Sequence, residues 1–190
     1  LTHVPTGFSA LDKEFGGVRL GIVTEVMAHT GDGKSAFIRQ LAEGGARAGA
    51  GVLWIAAEDP EDASAERQLA GDTGIDSAQL GRLDLADGEL ARLQSAAGSA
   101  APWADKVLPI FGSQDVDSVL ELIDEVDRVG SAPLRLVLID YAQVLGASRN
   151  LEDDVARLGE GLHQRSRDRG FATVVGSQVR TAVIARGREA

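Results

Sequence analysis

Residues 22–35 read Ile22-Val23-Thr24-Glu25-Val26-Met27-Ala28-His29-Thr30-Gly31-Asp32-Gly33-Lys34-Ser35, an apolar stretch running into a glycine-punctuated loop, with a helix-forming run after it. Ala28 to Ser35 fits the phosphate-loop pattern Ala/Gly-x-x-x-x-Gly-Lys-Ser/Thr. Gly31 and Gly33 let successive backbone N–H groups turn inward as an anion nest, and the loop delivers its ligand to a helix N-terminus whose unpaired N–H groups and dipole favour negative charge. Ala28, His29, Thr30, Gly31, Asp32, Gly33, Lys34 and Ser35 are therefore the candidate nucleotide-binding residues. Lys34 suits the β and γ phosphates and Ser35 suits Mg²⁺. Strand, loop and helix in that order imply an α/β fold built on a parallel sheet.

The chain has 190 residues, 44% hydrophobic and 25% charged, with no cysteine. That length fits a single domain over residues 1–190. No apolar run approaches the 18 or so residues that a membrane span requires, so no membrane association is expected. Without cysteine, disulfides and thiolate metal sites are excluded, and no secretory leader is present, which fits the cytoplasm. Leu1 in place of Met and the abrupt end at Ala190 suggest a fragment.

Net charge is −10, which argues against binding nucleic acid by bulk electrostatics. The distribution is uneven. Arg165, Arg167, Arg169, Arg180, Arg186 and Arg188 face only Asp168 and Glu189 over residues 161–190. This basic end suits phosphates, although Arg165, Arg167 and Arg169 equally suit the solvated last turn of a helix.

Short apolar runs mark strands at 21–28, 52–57, 107–111, 135–140 and 171–176, of the kind buried on both faces of a parallel sheet. Helices fall between them. Val116, Val119, Leu120, Ile123 and Val126 form one stripe over 115–129, and Leu151, Val155, Leu158 and Leu162 another over 151–169. Asn150 suits the start of the second helix and Gly170 its end, while Gly130 ends the first. The pattern is doubly wound, with helices on both faces of a twisted sheet.

Open sheets of this kind bind ligands outside the carboxyl ends of their strands. Three ends are polar: Glu58-Asp59-Pro60, Asp140-Tyr141 and Ser177-Gln178. Asp140, after Leu136-Val137-Leu138-Ile139, is a carboxylate placed to hold Mg²⁺. Glu58 suits a general base that orients water, with Asp59 as competitor; Asp59 better fits a helix cap with Pro60 at the first helical position. Gln178 is an uncharged donor suited to sensing a terminal phosphate. Glu58, Lys34 and Gln178 are the candidate catalytic residues, and Ser35 and Asp140 the metal ligands. Trp54 and Trp103 read as packing residues, and His3, His29 and His163 lack ligand spacing. Asp32, beside the incoming phosphates, repels them unless it points away.

These residues resemble the RecA-like motor domain of DnaB-type replicative DNA helicases. Thr6-Gly7-Phe8-Ser9-Ala10-Leu11-Asp12 with Gly16-Gly17 is similar to that family's entry segment, and Ala57-Glu58-Asp59-Pro60 to its Leu-Glu-Met-Pro. Ile139-Asp140-Tyr141-Ala142-Gln143-Val144-Leu145 resembles its Ile-Asp-Tyr-Leu-Gln-Leu-Met, and Ser177-Gln178-Val179-Arg180 its Ser-Gln-Leu-Asn-Arg. The resemblance implies a RecA-like P-loop NTPase fold, ATP and Mg²⁺ as cofactors, Glu58 as catalytic base, and a homo-oligomeric ring, a hexamer, moving on single-stranded DNA. Arg149 would face the channel, and Arg180, Arg186 and Arg188 join it as candidate nucleic-acid contacts. The family's arginine finger, closing strands and N-terminal collar are absent from this chain, so poor hydrolysis is expected of it alone.

Gly21-Ile22-Val23-Thr24-Glu25 looks more like the corresponding strand of RecA-type recombinases, and Glu25 is unusual for a buried strand. Two other functions are therefore weighed: a recombination or repair ATPase forming filaments on DNA, and a nucleotide-gated assembly or loading module without motor activity.

Overall fold

The computed structural model describes residues 2–57, 60–129, 132–140 and 151–178. Its centre is a five-stranded, wholly parallel sheet. In chain order the strands are β3 (Val23–Ala28), β4 (Gly51–Ala56), β5 (Val107–Phe111), β6 (Leu134–Asp140) and β7 (Ala172–Gln178), arranged β3-β7-β6-β4-β5. Each expected strand is present, β5 at its expected bounds and the others with ends moved by one or two residues. A short antiparallel pair, β1 (His3–Val4) with β2 (Val18–Arg19), flanks α1 (Ser9–Phe15).

Alternation along the central strands divides the core in two. Val52, Trp54 and Ala56 of β4 and Leu136 and Leu138 of β6 face one side, where Ile38, Leu41, Ala42 and Ala46 of α2 (Lys34–Arg47) cover them. Leu53, Ile55, Val137 and Ile139 face the other, against Val116, Val119 and Ile123 of α6 (Val116–Val129) and Leu158 and Leu162 of α7 (Leu151–Arg169). Period-two strands between period-3.6 helices give this layering directly. Each fully buried Val, Leu or Ile among them contributes about 1.5–3 kcal/mol.

Burial on both faces holds for β4, β6 and β7 but not for β3 and β5. Those two are the edge strands among the described residues, and both leave side chains in contact with solvent. Glu25 is exposed on β3, so its carboxylate stays hydrated and its presence in a strand needs no further explanation.

The α7 stripe is also shifted from expectation. Asp154 is 7% exposed and Val155 39%, so the covered line runs through Asp154, Leu158, Leu162 and Ser166; the side chain of Leu151 lies outside the described residues. Gly170 ends the helix as expected, with φ +72° and its N–H donating to Ser166 O at 2.9 Å. Pro60 is the N-cap of α3 (Glu61–Thr73) rather than its first helical residue, while Asp59, Gly130 and Asn150 lie outside the described residues. Between α3 and β5 the chain forms α4 (Ser77–Arg82) and α5 (Asp87–Ala104). Among the described residues no helix is long and apolar enough to cross a membrane.

The entry segment is anchored onto α2. Thr6 directs both its N–H and its hydroxyl to Asp12 Oδ1 at 2.7 Å, and Phe8 stacks on Phe37 with ring centroids 5.1 Å apart.

Candidate functional site

Because all five strands run in parallel, their carboxyl ends gather on one edge of the sheet. β3 runs into the phosphate loop there, β6 ends at Asp140 and β7 at Gln178. The register aligns Ala28 with Gln178 and Ala56 with Asp140, and Ala57 N–H donates to Asp140 O at 2.8 Å. Residues of the loop, α2 and α3 enclose a cleft of about 350 Å³.

Gly31 and Gly33 hold the loop open with φ of +87° and +84°, a left-handed conformation that costs other L-residues strain. Gly33 is the N-cap of α2, so the helix's first N–H groups lie at the cleft. Six of the eight loop residues line it: His29, Thr30, Gly31, Gly33, Lys34 and Ser35. Ala28 instead closes β3. Asp32 turns back on the loop, accepting from His29 N–H at 3.1 Å while its own N–H donates to His29 O at 3.2 Å. Its carboxylate is thus engaged in the turn and is not among the cleft's lining residues.

Lys34 reaches from the cleft lining into the sheet, where its ammonium donates to Asp140 Oδ1 at the end of β6. Asp140 is 3% exposed. A buried charge pair of this kind is costly to desolvate and costlier to break, because the survivor is left unpaired. The Gln178 amide donates to the Thr30 hydroxyl, so β7 and the phosphate loop are tied side chain to side chain.

Three features of the site are not legible in the sequence alone. A Cβ on Gly176 of β7 would lie 2.8 Å from Ile38 Cδ1 and 3.2 Å from both Lys34 Cδ and Asp140 Oδ1. Its absence of side chain makes room for the pair, and the available signal was a glycine inside an apolar strand. Arg39 of α2 and Arg67 of α3 add guanidinium groups to the cleft lining, with Arg39 also bonded to Asp72 at 3.3 Å. Trp54 is the third: it packs in the core edge-to-face with Phe111 yet also lines the cleft. Its Nε1 is the one buried side-chain polar atom without a partner among the described residues.

Glu58, Tyr141, Arg149, Arg180, Arg186 and Arg188 lie outside the described residues. Of the basic end, Arg165 and Arg169 belong to α7 and are bonded to α6, through Asp124 at 2.8 Å in each case, with Arg169 also 3.4 Å from Asp127. Hydrogen bonds from Arg165, ahead of its charge, hold the Asp124 carboxyl below the usual carboxylate range, and the same bond raises Arg165.

The sheet and its helices superpose on a solved ATPase domain with a TM-score of 0.84 and 21% identity, covering 100% of this chain and 68% of that one. A DnaB-like replicative helicase, solved in a study of its interactions with primase, matches with a TM-score of 0.83 and 21% identity over 97% of this chain and 45% of that one. The fold is RecA-like, as in those domains. In sequence, the chain is 29% identical over 197 aligned residues to the replicative DNA helicase DnaB of Rhodothermus marinus, an alignment covering 98% of this chain and 20% of that protein. It thus spans about a fifth of that relative's length. The model of the DnaB-like helicase C-terminal domain matches residues 3–189, nearly every residue from the entry segment through the phosphate loop to the basic end, and the chain belongs to that family.

Proposed function

We propose that this domain is the ATP-hydrolysing motor of a ring-forming DNA helicase, coupling ATP turnover with Mg²⁺ to movement along single-stranded DNA. The observation that carries the reading is the convergence on one cleft of the phosphate loop, Lys34 with its bond to the buried Asp140, and Gln178.

The chemistry is positioning and charge neutralisation. Loop N–H groups and the α2 N-terminus hold phosphate oxygens, and Lys34 exchanges the Asp140 carboxylate for a phosphate. Ser35, at the start of α2, and Asp140, at the end of β6, form an oxygen donor pair suited to Mg²⁺, which when bound offsets phosphate charge. Glu58, two residues after β4, orients water for in-line attack at the γ-phosphorus and accepts its proton. Arg149, Arg180, Arg186 and Arg188 supply cations for the DNA backbone. In a hexameric ring a neighbour completes the charge clamp on the phosphates, and DNA in the channel stimulates turnover.

The test is a pair of substitutions in the full-length protein. Glu58→Gln should retain ATP binding and lose DNA-stimulated turnover by about two to four powers of ten. Lys34→Ala should abolish binding in a direct titration on folded protein. Wild-type turnover in the first, or undiminished affinity in the second, would remove the assignment. Electron microscopy with nucleotide and single-stranded DNA should show closed rings; filaments would favour the recombinase reading instead.

A further inference from the structure

We propose that Thr30 is a positioning residue that competes with the terminal phosphate of the nucleotide for the Gln178 amide, so that phosphate occupancy is transmitted to β7 by exchange of one hydrogen bond. This rests on the assignment of the cleft to ATP. The phosphate-loop pattern leaves position 30 open to any residue, so its hydroxyl has no role in that pattern.

The geometry supplies one. Gln178 is the last residue of β7 and pairs in register with Ala28, the last of β3. Thr30 stands two residues further along the loop, and its hydroxyl accepts from Gln178 Nε2. Both residues line the cleft that holds Lys34 and Ser35. A hydrogen bond to an ionised oxygen is roughly twice as strong as one between neutral groups. A γ-phosphate oxygen therefore draws the amide away from the Thr30 hydroxyl, and loss of that phosphate returns it. A nucleoside diphosphate, lacking the γ-phosphate, leaves the Thr30 bond in place.

Thr30→Val removes the hydroxyl while keeping the side chain's shape, and Thr30→Ser keeps the hydroxyl. In the full-length protein, Thr30→Val should bind a non-hydrolysable ATP analogue about fivefold more tightly, the equivalent of one net hydrogen bond no longer broken on binding. Affinity for ADP should be unchanged, and Thr30→Ser should match the wild type. In a Gln178→Ala background, Thr30→Val should have no effect on either nucleotide. An equal change for ADP and the analogue, weaker or unchanged analogue binding, or an effect that survives Gln178→Ala overturns the proposal. Lys34→Ala run alongside separates the two levels: if it binds the analogue normally, the ATP assignment fails, whereas a failure confined to the Thr30 variants leaves that assignment standing.

Discussion

Gly176 shows how one missing side chain can define a site. It lies where Lys34, Asp140 and Ile38 meet, and a methyl group would press on all three at 2.8–3.2 Å. Ile38 can yield at its flexible end. The charge pair has less freedom, because Asp140 is buried and little of the Lys34 side chain is exposed. Gly176→Ala should therefore cost about 1–3 kcal/mol of stability by overpacking and weaken ATP binding about tenfold by misplacing Lys34. Chemical denaturation and nucleotide titration measure the two effects, and unchanged affinity would show that Gly176 does not position the pair. Among loop residues, the place of Gly33, Lys34 and Ser35 at the cleft was legible because the pattern fixes their spacing. The orientation of Asp32 was not, since a carboxylate in a loop can face the ligand or cap the turn. Only the bond to His29 N–H decides between these.

At the scale of elements, α6 is legible from its sequence because its apolar positions alone define the buried stripe. The bounds of α7 are equally legible, but its rotation is not, because ion pairs accompany the apolar residues on its covered side. Asp117 meets Arg157 at 2.5 Å, Asp124 meets Arg165 and Arg169, and Asp127 meets Arg169. With this ladder in place Asp154 faces inward and Val155 outward. It also takes Arg165 and Arg169 out of the basic end as free cations. The folded Asp124 carboxyl titrates below its unfolded counterpart, so the folded state binds fewer protons. Its contribution is complete above the ordinary carboxylate range and is lost as pH falls through the depressed value. The pair is partly exposed, which limits its worth to about 0.5–1 kcal/mol after screening. Asp124→Asn should lower stability by that amount at neutral pH, with the difference shrinking toward zero in acid and in high salt. Urea midpoints across a titration from neutral pH into acid test this, and a pH-independent difference would assign the effect to packing.

For the whole molecule, ligand binding and stability are linked, because the cleft is assembled from the phosphate loop, α2, α3, β4 and β7 and does not exist in the unfolded chain. Saturating MgATP at about 100 times its dissociation constant should stabilise the domain by about 2.7 kcal/mol. For a domain of this size that raises its melting temperature in the full-length protein by about 5–10 °C. Glu58→Gln should retain the shift and Lys34→Ala should lose it. A shift that persists in Lys34→Ala would place the nucleotide elsewhere.

By itself the sequence determined the phosphate-loop pattern, the five strands of the parallel sheet, the spans of α6 and α7, the residues at the strand ends and the family. Those depend on local chemistry: glycine torsions, apolar periodicity, and a lysine and serine at set spacing. Tertiary structure alone decided that β7 lies between β3 and β6. Strand order is set by non-local pairing that no local pattern records. That order brings Gly176 against the Lys34–Asp140 pair and Gln178 against Thr30, residues 148 positions apart in the chain.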